Sequence, residues 1–169
     1  ACHAEVVYVP RNLVVRVPEN VSPQDAAFAN LGAIALHGIR RAGLTPGEMV
    51  AVIGLGLIGQ LTVQILRAYG YPVLGLDTSP QRVAQTVKLG LEDTVLLEEE
   101  SVERVTATFT NGVGVDAVIV TAATTSNQPV TVAGRICREG GRVSAVGDVG
   151  MRIPRRLYYE KELDFRLSR

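Results

Sequence analysis

The sequence predicts an α/β fold, in which a mainly parallel sheet is covered by helices on both faces. Short apolar runs, typical of strands buried on both faces, alternate five times with helix-forming segments. A Gly-x-Gly-x-x-Gly motif at residues 54–59 follows the first of these runs directly and opens a helix. An aspartate, Asp77, ends the second run.

The first 45 residues are less regular. Residues 4–9 have the β-branched content of a strand, and residues 13–17 form a second extended segment. The segment Ser22-Pro23-Gln24-Asp25 predicts a helix start, with a serine N-cap, a proline at the first helical position and a capping-box acid. We expect this helix to falter near Gly32, resume, and end at Ala42.

From residue 46 onward, strand and helix alternate. Glycines close the helices as C-caps, and acids at residues 98–100 suit a first helical turn. The alternation of six strands matches the doubly wound Rossmann fold, with strand order 3-2-1-4-5-6. The predicted strands are 49–53, 73–76, 94–97, 115–120, 142–146 and 163–167, and the predicted helices are 57–69, 80–90, 98–108 and 128–138.

The glycine motif has the residues that a dinucleotide pyrophosphate requires. Gly54 permits a tight turn, Gly56 lets a pyrophosphate approach the backbone, and Gly59 lets helix and strand pack closely. Free N–H groups near Leu57 and Ile58 then face the negative phosphates. The alternative is a glycine-rich turn without a ligand, which the flanking strand and helix disfavour.

Asp77 predicts NAD(H) as the cofactor. A carboxylate at the end of the second strand accepts hydrogen bonds from the adenosine ribose and repels the 2′-phosphate of NADP(H). A simple helix cap is the alternative explanation. Arg82 is a candidate to cover the adenine, but a solvated surface arginine explains it equally well, and a role in holding a 2′-phosphate would reverse the preference.

The ends of the fourth and fifth strands are expected beside the cofactor, because ligands of this fold bind outside the carboxyl ends of the strands. Thr121 and Ala122 follow the fourth strand, while Val146 and Gly147 end the fifth. Small residues there would let the nicotinamide side approach, although turn formation alone explains them equally well.

Composition argues against several classes of function. The 17 basic and 17 acidic residues give a net charge of zero, which leaves no basic surplus for binding nucleic acid. We find neither an apolar run of the ~18–20 residues that would span a membrane nor a signal peptide. Cys2 and Cys137 lie too far apart for a CxxC motif, and a reducing cytoplasm is expected.

The sequence offers no convincing catalytic residue and no metal ligand. A dehydrogenase needs groups that handle a proton and polarise the substrate oxygen. His3 lies in the first predicted strand and His37 in the middle of a helix, while the cluster Tyr158, Tyr159 and Lys161 is better explained by packing. Both ends run directly into strand-like sequence, so we expect a piece of a longer protein whose other part supplies the chemistry.

These residues resemble the medium-chain dehydrogenase/reductase family, the superfamily of zinc-type alcohol dehydrogenases. The most specific match is the segment 47–60, which contains the glycine motif. Residues 3–10 look like the end of the family's GroES-like catalytic domain, and residues 25–38 look like the helix that leads into its cofactor domain. The later segments 116–120, 140–143 and 161–163 fit the family's fourth, fifth and last strands.

The resemblance implies three parts: a GroES-like tail at 1–21, a lead-in helix at 22–45, and an NAD-binding Rossmann domain at 46–169. It implies hydride exchange between NAD(H) and an alcohol, polyol or carbonyl substrate, and a homodimer formed through the last strand. Zinc is not expected within this chain, because Ala29 and Asn30, near the family's usual ligand position, are poor zinc ligands. Residues 31–36 with the glycine motif look most like a bacterial subgroup joined to a second oxidoreductase domain.

Two other functions stay open. A regulatory NAD(H)-sensing Rossmann module shares the glycine motif and the aspartate, but it has no obvious use for residues 1–45. A methyltransferase also places glycines after its first strand and an acid after its second. Methyltransferases usually lack the third glycine and the helix that packs on it.

Overall fold

A computed structural model of the protein describes residues 4–97 and 102–168. The chain divides into two compact units, Ala1–Asn30 and Leu31–Arg169. Cys2, His3 and the first residues of the helix predicted at 98–108 lie outside the described residues.

The amino-terminal unit contains little regular structure. Its described elements are a 3₁₀ turn, Arg11–Leu13, and a one-turn helix, α1 (Pro23–Ala26). The strand predicted over residues 4–9 is wrong, since these residues are exposed and join no sheet. β-branched composition favours a strand only where neighbouring strands pack against it. Ser22 caps α1 as predicted, because its Oγ accepts a hydrogen bond from the Asp25 N–H at 3.1 Å.

The second helix, α2 (Ala29–Ala42), differs from its prediction in one respect. The interruption falls at residues 27–28, between α1 and α2, and the helix runs unbroken through Gly32. An internal glycine costs a helix about 1 kcal/mol, an amount that tertiary packing readily offsets. The helix ends before Gly43, which has the positive φ of 63° expected of a C-terminal glycine.

Six strands form one parallel sheet in the order β3-β2-β1-β4-β5-β6, which confirms the predicted doubly wound fold. Within residues 4–97 and 102–168, five helices connect these strands. The strands are β1 (Val50–Ile53), β2 (Val73–Asp77), β3 (Thr94–Leu96), β4 (Val115–Val120), β5 (Cys137–Ala145) and β6 (Asp164–Leu167). The helices are α3 (Leu57–Ala68), α4 (Pro80–Lys88), α5 (Val102–Phe109), α6 (Gln128–Ile136) and α7 (Arg155–Glu160).

Both faces of the sheet are buried, which explains the unbroken apolar runs. In β1, Ala51 and Ile53 belong to one hydrophobic cluster, which includes side chains from α5, α6 and α7. Val50 and Val52 belong to the other, which includes side chains from α2 and α3. Successive residues of a strand point to opposite faces, so each strand supplies both layers.

Two elements near the carboxyl end depart from the prediction. Helix α6 ends at Ile136, not 138, and β5 begins at Cys137, which pairs with Val115 before the register shifts. Helix α7 is absent from the prediction, because a six-residue helix leaves little periodic signal. Within residues 4–97 and 102–168, no helix is both long and apolar enough to cross a membrane.

Candidate functional site

A cleft of about 390 Å³ opens at the carboxyl ends of β1, β2 and β4. This is the point where the strand order reverses, the usual ligand position in open α/β sheets. Eight of the predicted site residues line it: Gly54, Gly56, Leu57, Ile58, Asp77, Arg82, Thr121 and Ala122. The lining also includes Leu97, Thr124, Ser126 and Gln128, which were not predicted.

The three motif glycines have different surroundings. Gly54 has a φ of 98°, and a Cβ there would lie 2.5 Å from the Ala122 nitrogen. A Cβ on Gly59 would collide with the Gly54 carbonyl oxygen, so this glycine lets α3 pack on the turn. A Cβ on Gly56 would meet no atom within 4 Å. The open space at Gly56 therefore belongs to the cleft.

Helix α3 begins beside that open space. Gly56 is its N-cap and has no side chain to occupy the free N–H groups of the first turn. Leu57 and Ile58 are its first two residues and both line the cleft. Backbone N–H groups at a helix start, together with the helix dipole, favour a bound anion.

Asp77 is almost fully buried, with 3% of its side chain exposed. Its Oδ2 accepts a hydrogen bond from the Leu55 N–H at 2.6 Å, and its Oδ1 accepts one from the Ser79 N–H at 2.7 Å. The Nη1 of Arg82 lies 3.6 Å from Oδ2. Each carboxylate oxygen has a further lone pair, so Asp77 can hold the loop and still accept from a ribose hydroxyl.

Thr121 has a role that its sequence position did not reveal. Its Oγ1 donates to the Gly54 carbonyl at 2.5 Å and lies 3.2 Å from the Ile53 carbonyl. This hydroxyl ties the end of β4 to the glycine turn, and so helps to fix the floor of the cleft.

Val146 and Gly147 are not among the residues that line the cleft. A Cβ on Gly147 would collide with the Ala122 carbonyl oxygen, and a Cβ on Gly38 would collide with Val146. Close packing between β4, β5 and α2 accounts for these two predicted site residues, and the structure does not place them among the lining.

Three titratable side chains outside the cleft are either buried in the fold, as Tyr158 and Cys137 are, or exposed on a helix, as His37 is. The Tyr158 hydroxyl donates to the Val130 carbonyl at 2.7 Å, and burial raises the pKa of this phenol. Burial also raises the pKa of the Cys137 thiol to about 11, which leaves it protonated near neutral pH. His37 is exposed on α2.

The described residues do not fit a zinc site. No group of three His, Cys, Asp or Glu side chains within residues 4–97 and 102–168 could hold a metal ion. Ala29 and Asn30 lie at the start of α2 and offer no imidazole, thiolate or carboxylate.

The sequence profile described as "Zinc-binding dehydrogenase" matches residues 58–166. The chain belongs to the zinc-binding dehydrogenase family. This finding confirms the resemblance to the medium-chain dehydrogenase/reductases; the narrower resemblance to a two-domain bacterial subgroup stays a prediction.

Curated relatives in this family act on polyols and related sugar acids by name. L-idonate 5-dehydrogenase of Vitis vinifera is 31% identical over 151 residues, 85% of this chain and 40% of that protein. Sorbitol dehydrogenase of Bacillus subtilis (strain 168) is 26% identical over 144 residues, with the same two coverages of 85% and 40%.

Solved zinc-binding dehydrogenases share the fold closely. Alcohol dehydrogenase TADH from Thermus sp. ATN1 has a TM-score of 0.80 and 31% identity, covering 91% of this chain and 45% of that one. A protein from Sinorhizobium meliloti 1021, solved bound to NADP, has a TM-score of 0.78 and 28% identity, covering 95% and 48%. The chain spans less than half the length of these relatives.

Proposed function

We propose that this chain is the cofactor-binding part of an alcohol or polyol dehydrogenase, and that it binds NAD(H) in the cleft. One observation supports this most directly. Gly54 and Gly59 are enclosed by protein atoms, while Gly56 faces open space at the start of α3. A pyrophosphate needs that arrangement, in which the backbone is accessible and free N–H groups face the anion.

The cleft residues bind and orient the cofactor in this proposal. The N–H groups of Leu57 and Ile58 hold the pyrophosphate, and Asp77 accepts from the adenosine ribose. Thr121 and Ala122, at the end of β4, leave room for the nicotinamide side, with Val146 and Gly147 packed behind them. When bound, the nicotinamide accepts or donates the hydride.

NAD(H) rather than NADP(H) is proposed because of the Asp77 carboxylate. A 2′-phosphate brought beside this buried charge would be repelled, and the ion pair with Arg82 neutralises the charge only in part at 3.6 Å. Because the Sinorhizobium meliloti protein was solved bound to NADP, NADPH is the competing ligand in the test.

The remaining features of the whole protein are proposals of the same kind. The names of the relatives favour an alcohol or polyol as substrate, handled by groups outside this chain. We propose residues 1–21 as the end of a catalytic domain, 22–45 as a lead-in helix and 46–169 as the cofactor domain. A homodimer through the β6 edge and a cytoplasmic location complete the proposal.

A calorimetric titration of this chain with NADH, NADPH and S-adenosylmethionine tests the proposed function. We expect NADH to bind with much higher affinity than NADPH or S-adenosylmethionine. We expect no turnover when alcohols or polyols are added with NAD⁺. Preference for S-adenosylmethionine would overturn the dehydrogenase proposal, and steady alcohol oxidation would show that the chemistry lies within the chain.

Substitution of Asp77 separates ribose recognition from helix capping. We expect Asp77→Ser to weaken NADH binding about tenfold or more and to reduce the bias against NADPH, because charged hydrogen bonds to the ribose are lost. Asp93→Ser is the matched control, because Asp93 is an exposed aspartate that directly precedes β3. An unchanged preference in Asp77→Ser would show that the carboxylate only holds the loop.

A further inference from the structure

Five residues, two of which line the cleft, form a closed ring of polar contacts. Asp77 accepts from the Leu55 N–H, and the Leu55 carbonyl accepts from Gln60 Nε2 at 3.2 Å. The same Nε2 donates to the Thr86 hydroxyl, which itself donates to the Arg82 carbonyl at 2.7 Å. Arg82 closes the ring through its ion pair with Asp77. The ring thus joins the glycine turn, α3, α4 and the end of β2.

The Gln60 amide can occupy only one orientation in this ring. The Leu55 carbonyl is an acceptor alone, so the nitrogen of the amide must face it. The Thr86 hydroxyl is committed as a donor to Arg82 and therefore accepts from the same nitrogen. The direction of every hydrogen bond from Leu55 to Arg82 follows.

Stability alone gives a weak reason for a glutamine here. Gln60 is 8% exposed, and its Oε1 has no hydrogen-bond partner among the described residues. A half-satisfied buried amide costs free energy that an apolar side chain of similar length would avoid. Thr86, on α4, is fully buried. The contact between Gln60 and Thr86 is therefore better explained by what it holds in place than by the stability it adds.

What the pair positions is Arg82. Its side chain is 56% exposed on the first turns of α4, so the protein surface alone does not restrain it. The bond from Thr86 holds the backbone of Arg82, and the link to Gln60 ties that helix turn to the glycine loop. Both restraints fix the helix turn from which the guanidinium reaches Asp77.

We propose that Gln60 and Thr86 are positioning residues that set the preference for NADH over NADPH by holding Arg82 on Asp77. This inference rests on the proposed function. Released from the ring, Arg82 is free to pair with the more highly charged 2′-phosphate, and Asp77 is held less firmly for the ribose. NADPH then gains affinity relative to NADH.

Isosteric variants of Thr86 test the inference in the full 169-residue chain. Thr86→Val removes the hydroxyl and keeps the shape, while Thr86→Ser keeps the hydroxyl. We expect Thr86→Val to lower the ratio of NADH to NADPH affinity about fivefold, the size of effect that the loss of the Gln60–Thr86 hydrogen bond can have, and Thr86→Ser to leave the ratio unchanged. A merely structural role would lower thermal stability and weaken both cofactors equally.

Gln60→Met cuts the same bond from its other end. It should lower the ratio of NADH to NADPH affinity as Thr86→Val does. The double variant should lower the ratio no further than either single variant, because all three break the link between Gln60 and Thr86. An unchanged ratio in folded Thr86→Val or Gln60→Met overturns the inference, as does the failure of both variants to fold. If the unaltered chain binds no NADH, the proposed function fails first, and the inference fails with it.

Discussion

At the scale of single residues, the site depends on where a Cβ can and cannot be placed. Gly56 and Gly59 belong to one motif and are three positions apart, yet one faces the cleft and the other faces the Gly54 carbonyl. Gly56 has a φ of −69°, which any residue adopts. The two glycines therefore separate ligand binding from stability.

We expect Gly56→Ala and Gly59→Ala to fail in different ways. Gly59→Ala forces backbone apart and should lower the free energy of unfolding by about 3 kcal/mol. Gly56→Ala should change it by less than about 1 kcal/mol, since the N-cap loss and the lower chain entropy oppose each other. Its methyl group should instead weaken NADH binding about tenfold or more.

Urea unfolding and calorimetric titration of both variants check this pair. Each variant serves as the control for the other, because both add the same methyl group to the same motif. Normal NADH affinity in Gly56→Ala would mean that the pyrophosphate does not lie against this backbone.

Part of the site was predictable because its chemistry is local. Gly54, Gly56 and Asp77 stand at fixed places relative to strands that the apolar runs already locate. Gln60 and Thr86 were not found, because a buried amide and hydroxyl that meet between two helices leave no periodic or spacing signal. Val146 and Gly147 were placed at the right strand end, but their side-chain surroundings depend on the packing of α2.

At the scale of elements, prediction succeeded where a segment is buried on both faces and failed where tertiary context decides. The strand β1 lies between two hydrophobic layers, and its run of apolar residues shows this. Residues 4–9 have similar composition but no neighbouring strand, so they stay irregular. The junction of α6 and β5 is set by an interaction that the sequence pattern does not contain.

That interaction is the capping of α6 by Lys161. Its Nζ donates to the carbonyls of Gly134, Arg135 and Cys137 at 2.9, 2.7 and 2.6 Å. A cation there satisfies carbonyls that the helix leaves unpaired, and it interacts favourably with the negative end of the helix dipole. Burial lowers the pKa of this lysine against the opposing effect of nearby acidic groups.

We expect Lys161→Met to lower the free energy of unfolding by about 2 kcal/mol, because part-buried carbonyls lose a charged donor. Lys88→Met is the matched control: Lys88 lies in the last turn of α4 but is exposed, and should change stability by less than about 0.5 kcal/mol. Equal effects in urea unfolding would show that Lys161 acts only through the dipole.

At the scale of the whole molecule, the cofactor cleft and the ion pairs that stabilise the fold lie at opposite ends of the strands. The cleft lies at the carboxyl ends of the strands, and two ion pairs lie toward the amino ends. Arg142 Nη2 lies 2.5 Å from Glu48 Oε1, and its Nη1 donates to the Gly43 carbonyl at 3.0 Å. Arg138 Nε donates to Asp116 Oδ1 at 2.7 Å. These pairs connect β1, β4 and β5 to the end of α2.

The loss of stability at low pH should depend on the carboxylates of Glu48 and Asp116. Burial alone would raise the pKa of Glu48, but the hydrogen bonds from Arg142 and Thr45 outweigh it and lower that pKa below 4.5. Burial opposes the hydrogen bonds from Arg138 and Met49 at Asp116 in the same way, and its pKa falls below 3.8.

A carboxylate whose pKa is lower in the folded state than in the unfolded state binds its proton more weakly when folded. Its stabilising contribution is complete above the unfolded pKa and is lost as pH falls through the folded pKa. We therefore expect the free energy of unfolding to fall as pH is lowered from about 5 toward 3. Glu48→Gln should reduce this pH dependence, while Glu92→Gln, at an exposed acid, should preserve it. Urea unfolding of the unaltered chain and of both variants at each pH measures this dependence. If the free energy of unfolding falls identically with pH in all three, the ion pair of Glu48 does not govern the loss of stability in acid.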